Sequence, residues 1–219
     1  LLDAYNNLGI ALKNSGQLLK SFGIFQDALK INPKHHLSNF NLGDLYVQFN
    51  EIEKATNCFK KIINFKPNFS LAYSTYLFFI NYSEKYDSNF YYKEALGYSK
   101  SIKRFDKNLL IPFKYNKSAT KLKVGFVSSD LKNHPIGYFL FETLKYLKDM
   151  SIELVAYSNL IQKDEDNLTS ELKNFFFQWH RTKNMNDLEL INLIRDDKIN
   201  LLIDLSGHSA KSRLPIFIN

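Results

Sequence analysis

The chain has 219 residues, 45% of them hydrophobic, enough for one large core or two small ones. Its 29 Lys and Arg against 22 Asp and Glu give a formal charge of +7 without any basic block, which argues against a nucleic-acid arm. The single cysteine, Cys58, excludes an internal disulfide, and no apolar run reaches the ~18–20 residues that span a membrane.

A reducing, cytoplasmic setting follows from that cysteine usage. Cys58 lies in an apolar helical pattern and reads as a small core residue. No signal peptide is visible, but the chain begins with Leu1 rather than Met, so it reads as a fragment and its first residues do not exclude N-terminal signals.

The first half repeats. Leu8-Gly9 recurs as Leu42-Gly43, Phe25 as Phe59 and Pro33 as Pro67. Further slots pair Tyr5 with Asn39, Leu12 with Tyr46, Ser21 with Ala55 and Ala28 with Ile62. The period is the ~34 residues of a tetratricopeptide unit. Helices are expected at 3–14, 18–31, 37–48, 52–64 and 71–83. Gly9 and Gly43 let each first helix approach its second closely, with Ser21 and Ala55 at the tightest crossing. Pro33 and Pro67 end the units, because proline cannot continue a helix. A third unit opens at Ala72-Tyr73 but carries Leu77 where glycine belongs. It leads through a loop at 83–88 to a helix near 89–103, as a degenerate terminal unit that docks onto the next domain.

Such arrays offer a concave groove to peptides. Asn7 and Asn41 share the slot just before Leu-Gly. Their amides can donate to and accept from an extended peptide backbone, or they are simply common at that slot.

Residues 104–121 break the helical period and read as a linker, with Leu109 to Phe113 packing on something. Strand and helix then alternate over 122–219. The expectation is strand 122–128, helix 136–149, strand 152–158, a helix near 167–175 and a short strand from Phe177 to His180. A helix follows at 187–197, capped by Asn186-Asp187, and then strand 200–205. This spacing means a parallel sheet with crossover helices. The sheet stops early, and the last segment, LPIFIN, leads nowhere, as though the chain ended inside a fold.

In open α/β sheets ligands bind beyond the carboxyl ends of the strands. His134 lies past the end of the first strand and His208 past the end of the last. Each suits proton transfer near neutral pH, or else caps its loop. Asp130 reads as the acid of an Asx turn. Asp197, at a helix C-terminus where the dipole disfavours an acid, reads from the residues alone as a solvated charge. Asp204, in an apolar strand, needs loop N–H donors. No glycine-rich phosphate loop follows the first strand, so this half-sheet does not hold a nucleotide by itself. His35-His36 point apart at a repeat junction, and no metal site is expected.

Tetratricopeptide units followed by VGFVSSDLKNHPIGYFL and IRDDKINLLIDLSGHSAKSRL resemble the protein O-linked N-acetylglucosamine transferase and SPINDLY family, in its bacterial-like form. The resemblance covers essentially the whole chain. It implies an α-solenoid over 1–103 and, over 122–219, a partial Rossmann-like sheet, the N-terminal lobe of a GT-B fold. It also implies transfer of a sugar from a nucleotide sugar to Ser or Thr of protein acceptors held by the repeats. The donor is UDP-N-acetylglucosamine, or GDP-fucose as in SPINDLY proteins, with no further cofactor. His134 and Asp197 match active-site positions of that family. His208 matches the histidine of its Gly-His-Thr motif, with Ser209 keeping the hydroxyl. Asn200 stands where animal enzymes carry histidine, so that role does not transfer. The lobe that binds most of the nucleotide is not in these residues, so the piece alone is expected to be inactive. The competing reading is a non-catalytic tetratricopeptide adaptor whose half-sheet only caps the solenoid.

Overall fold

The computed structural model describes residues 1–112, 121–147 and 150–219. The chain forms two units, Leu1–Lys103 and Arg104–Asn219. Among the described residues, no helix is long and apolar enough to cross a membrane.

The first unit is a run of helices: α1 (Leu2–Asn14), α2 (Leu18–Ile31), α3 (His36–Gln48), α4 (Ile52–Phe65), α5 (Ser70–Ile80) and α6 (Ser88–Ser101). Each expected helix is present within a residue or so, except that α5 stops at Ile80 rather than 83 and α6 at Ser101 rather than 103. Close packing within each pair follows from the glycines. A side chain at Gly9 would run into the Phe25 ring, and one at Gly43 would sit 2.7 Å from Phe59 Cε1. Buried Ser21 adds a hydroxyl that donates to the Gly9 carbonyl at 2.7 Å. Phe25, Leu42, Leu45 and Cys58 share one core, each large apolar side chain contributing about 1.5–3 kcal/mol. Burial raises the Cys58 thiol to about 11, which keeps it a packing group.

The third pair solves the same problem differently. Leu77, in the glycine slot, is fully buried. The close approach has moved to α6, where Gly97 lies against the Tyr73 hydroxyl.

The histidines at the repeat junction are occupied. His35 Nδ1 meets Ser38 Oγ at 2.8 Å, and His36 Nε2 faces the Lys66 ammonium at 2.9 Å. Burial, then the Lys66 charge, holds His36 below the usual histidine range. Among the described residues no cluster of His, Cys, Asp and Glu could hold a metal ion.

The second unit is a four-stranded parallel sheet in the order β3-β2-β1-β4. Its strands are β1 (Leu122–Ser128), β2 (Ile152–Ser158), β3 (Gln178–Arg181) and β4 (Leu201–Asp204). Alternation along the strands separates two cores. Val124, Phe126, Leu154 and Ala156 pack against α7 (Pro135–Leu147) and α8 (Asn167–Lys173). Val127, Val155 and Tyr157 pack against α9 (Asp187–Asp196).

Several boundaries differ from expectation. The third strand begins at Gln178, so Phe177 falls outside it and is exposed. The helix expected to 175 ends at Lys173, freeing Phe175 and Phe176 to turn onto the first core. The fourth strand begins at Leu201, because Asn200 is spent closing the sheet: its backbone N–H donates to the Lys123 carbonyl and its side-chain oxygen accepts from the Lys123 N–H.

The segment that seemed to lead nowhere folds back. Leu214–Ile218 forms a 3-10 turn that buries Ile216 with α9. Residues 104–112, read as linker, are seated on the same unit: the Phe105 N–H donates to Asn219 Oδ1 and the Ile111 N–H to Asn192 Oδ1. Leu110 packs while Leu109 and Ile111 stay exposed. The rest of that stretch, 113–120 with Phe113, and the helix end at 148–149 lie outside the described residues.

Candidate functional site

The site grows from β1 and β4, which are adjacent and parallel, with Val127 opposite Asp204. Parallel neighbours discharge their loops at one edge, so the loops carrying His134 and His208 leave the same end of the sheet. They are also bonded to each other. The Ser129 N–H donates to Ser206 Oγ at 3.3 Å, and Ser129 Oγ reaches the Ala210 carbonyl at 3.4 Å.

The first loop is set by serines. The Asp130 N–H donates to Ser128 Oγ at 3.0 Å, and the Ser129 hydroxyl donates to Asp130 Oδ2 at 2.9 Å. The turn is thus closed by the Ser128 hydroxyl, not by the Asx geometry expected of Asp130. The chain then passes so close to α7 that a side chain at Gly137 would strike the Lys132 carbonyl. Asp166, the N-cap of α8, accepts from the Asn133 N–H at 2.7 Å and so pins the residue before His134. Burial opposes charge on Asp166, but amide donors from Asn133, Thr169 and Leu168 outweigh it and hold the carboxyl below its usual range. Sequence reasoning missed Asp166, although the capping-box pattern with Thr169 was there to be read.

His134 is partly exposed just before Pro135, the first residue of α7. Its Nδ1 accepts from the Ile136 N–H at 3.2 Å. That contact assigns the neutral ring as the Nε2–H tautomer, which leaves Nε2 as a donor.

His208 is half-buried on the other loop, and burial lowers its pKa, so it is neutral at pH 7. Asp204, as expected, is held at the strand exit by loop donors. The Gly207 N–H reaches Oδ2 at 2.6 Å and the Ser206 N–H reaches Oδ1 at 3.3 Å. Burial still raises its pKa, against the pull of those two amides.

Asp197 belongs to neither loop. It closes α9 in the turn before β4, the opposite end of that strand from the one leading to His208. Lys198 takes a left-handed φ of 57°, and the Lys198 and Ile199 N–H groups bond back to Arg195 and Ile194. The side chain, 11% exposed, is not the solvated charge that the residues alone suggested. Its Oδ2 accepts from the Tyr157 hydroxyl at 2.6 Å and lies 3.0 Å from His180 Nε2. The histidine contact is close but poorly aligned and is not a well-formed hydrogen bond. His180 stacks on Tyr157 at 5.3 Å. Burial, then the carboxylate, pushes the Tyr157 phenol far above its ordinary value.

In the first unit, Asn7 is exposed, whereas the Asn41 amide is engaged inside the array. Asn41 Nδ2 donates to Asn6 Oδ1 at 2.9 Å and to the Leu37 carbonyl at 3.0 Å.

With this geometry in view, comparison with known proteins is decisive on one point. Residues 98–218, more than half of the chain, match glycosyl transferase family 41. The chain belongs to that family. Residues 2–35 and 37–69 of this family 41 chain match the tetratricopeptide repeat. The chain is similar to a solved O-GlcNAc transferase of Thermobaculum terrenum, with TM-score 0.77 and 26% identity, over 99% of this chain and 41% of that one. It is 28% identical over 96 residues to a probable UDP-N-acetylglucosamine–peptide N-acetylglucosaminyltransferase SPINDLY of rice. It is 26% identical over 107 residues to a probable transferase of the same description, SEC, of Arabidopsis thaliana. The matched stretch is 42% of this chain but 10% of the rice protein, and 49% against 11% for SEC. The fold, a tetratricopeptide solenoid followed by part of a GT-B lobe, is therefore shared with O-GlcNAc transferase.

Proposed function

We propose that this family 41 chain is part of a protein O-glycosyltransferase that moves N-acetylglucosamine from UDP-N-acetylglucosamine to Ser or Thr hydroxyls of acceptor proteins, within a reducing compartment. The repeats bind the acceptor, with the exposed Asn7 facing its backbone; Asn41, whose amide N–H groups are spent inside the array, is left only its side-chain oxygen for that purpose. The observation that carries the reading is the bonding of the β1 and β4 loops, which sets His134 and His208 beyond one edge of the sheet. An adaptor needs no histidine on either of these two bonded loops.

The two rings have different work. His134, with Nδ1 occupied, donates through Nε2 to an oxygen of the sugar or phosphate. His208, kept neutral by burial, accepts a proton as the acceptor hydroxyl attacks. Asp197 acts from beneath the sheet by fixing Tyr157 and His180, rather than by touching substrate.

The test is sugar transfer and UDP release by the protein at its natural length, supplied with UDP-N-acetylglucosamine and, separately, GDP-fucose. His134→Ala and His208→Ala should each lower the rate by about 10²-fold or more. Unchanged rates in both variants sink the reading, and preference for GDP-fucose overturns the donor.

A further inference from the structure

The loop that carries His208 leaves β4 at Asp204 and contains two left-handed residues, Gly207 (φ 54°) and Lys211 (φ 65°). Glycine takes that conformation freely, whereas for lysine it is strained. Surrounding contacts must therefore hold Lys211 in place, and they come from other turns. Asn159, the residue after β2, donates Nδ2 to the Lys211 carbonyl at 2.8 Å. Two residues on, Arg213 is sunk to 12% side-chain exposure. Its Nη1 donates to the Met185 carbonyl at 3.0 Å, and its Nη2 lies 3.0 Å from Asp187 Oδ1, close enough for an ion pair though not aimed as a hydrogen bond. Asp187 opens α9, and the Met185 N–H donates in turn to the Thr182 carbonyl just after β3. The far end of the loop is thus fastened to the turns after β2 and β3 by one amide and one guanidinium.

We propose that Arg213 is a positioning residue which, with Asn159, clamps the far end of loop 205–213 and so fixes His208 at the sheet edge. The significance of holding His208 rests on the transferase reading; the clamp itself does not. A guanidinium is suited to this because its rigid planar fork donates to a carbonyl while holding its charge beside a carboxylate, which an ammonium on a flexible stem cannot do in the same geometry. Released from the clamp, the loop relaxes from its strained turn and His208 gains water. It would then titrate closer to an ordinary histidine, since its depressed value comes from burial.

The experiment follows the histidine ring resonances of the 219-residue chain by NMR across pH, with His208 and His134 assigned by replacement. Arg213→Met and Arg213→Lys should both raise the His208 midpoint by ~0.3 or more while His134 stays put. Asn159→Ala should move His208 the same way, and it stands in if Arg213→Met loses its circular-dichroism signature. An unmoved His208 midpoint in a folded Arg213→Met or Asn159→Ala chain overturns the clamp. So does full restoration by Arg213→Lys, because charge alone would then be responsible. Loss of transfer on replacing His208 is measured separately at natural length. A clamp without transfer, or transfer without a clamp, is therefore recognisable as such.

Discussion

The Tyr157 hydroxyl, on a strand, donates at 2.6 Å to the carboxylate of Asp197, a helix cap 40 residues further on. Both groups are buried or nearly so, and the stacked His180 ring is the other neighbour of that carboxylate. Tyr157→Phe removes one donor and leaves the carboxylate with a misaligned partner. The second unit should lose about 1–3 kcal/mol in urea unfolding, and Asp197→Ala a comparable amount. Because they share one bond, the double variant should cost clearly less than the sum of the two. Simple additivity would show that the contact carries no energy.

His134 and His208 are assigned opposite hydrogen-bonding roles. Glutamine keeps a donor near the place of Nε2 but cannot take up a proton. His134→Gln should therefore retain at least ~10-fold more transfer than His134→Ala, whereas His208→Gln should be no better than His208→Ala. Steady-state rates of the four variants decide it. Equal losses in all four would remove the distinction.

The pH profile has a predicted sign. The His208 midpoint is lowered by burial, so the neutral ring is the form present at pH 7. Transfer should be flat around neutrality and fall on acidification, with its midpoint below the ordinary 6.5. A profile rising as pH drops from 7 would mean that the protonated ring is the active form.

Glu165 offers a stability test of the same kind. Its bond to Arg181 first, then Lys173, overcomes burial and lowers its carboxyl from 4.5 to about 2. The folded value is the depressed one, so the stabilisation is present above about 4.5 and is lost as pH falls toward 2. Arg181 is exposed, so screening limits the effect to about 1 kcal/mol. Melting temperature against pH should be shallower in Glu165→Gln over that window; an unchanged slope would show that the cluster does not contribute.

In the repeats, Gly9→Ala places a methyl group into the Phe25 ring and should cost about 1–3 kcal/mol, read as a lower melting temperature. Ser21→Ala leaves the Gly9 carbonyl without its buried donor and should cost about 1 kcal/mol. Gly23→Ala, with open space around it, is the control and should be neutral or slightly stabilising.

What the amino-acid order determined by itself was everything with a local cause. Helical period, proline stops and recurring Leu-Gly slots placed the solenoid helices, and apolar runs between helical patterns placed the four strands within a residue or two. The Asp204 exit was legible too, because an acid at the end of an apolar strand must find the next N–H groups. Tertiary structure alone decided where contacts between distant segments fall. It decided that the missing glycine at Leu77 is answered by Gly97 on the next helix, and that LPIFIN tucks under α9. It drew Asp197 beneath the sheet to Tyr157 and His180, and Arg213 to Asp187. The reason is physical: periodicity records which face of an element is buried, but a single side chain's partner depends on strand order and register. Those are settled by the packing of the whole unit.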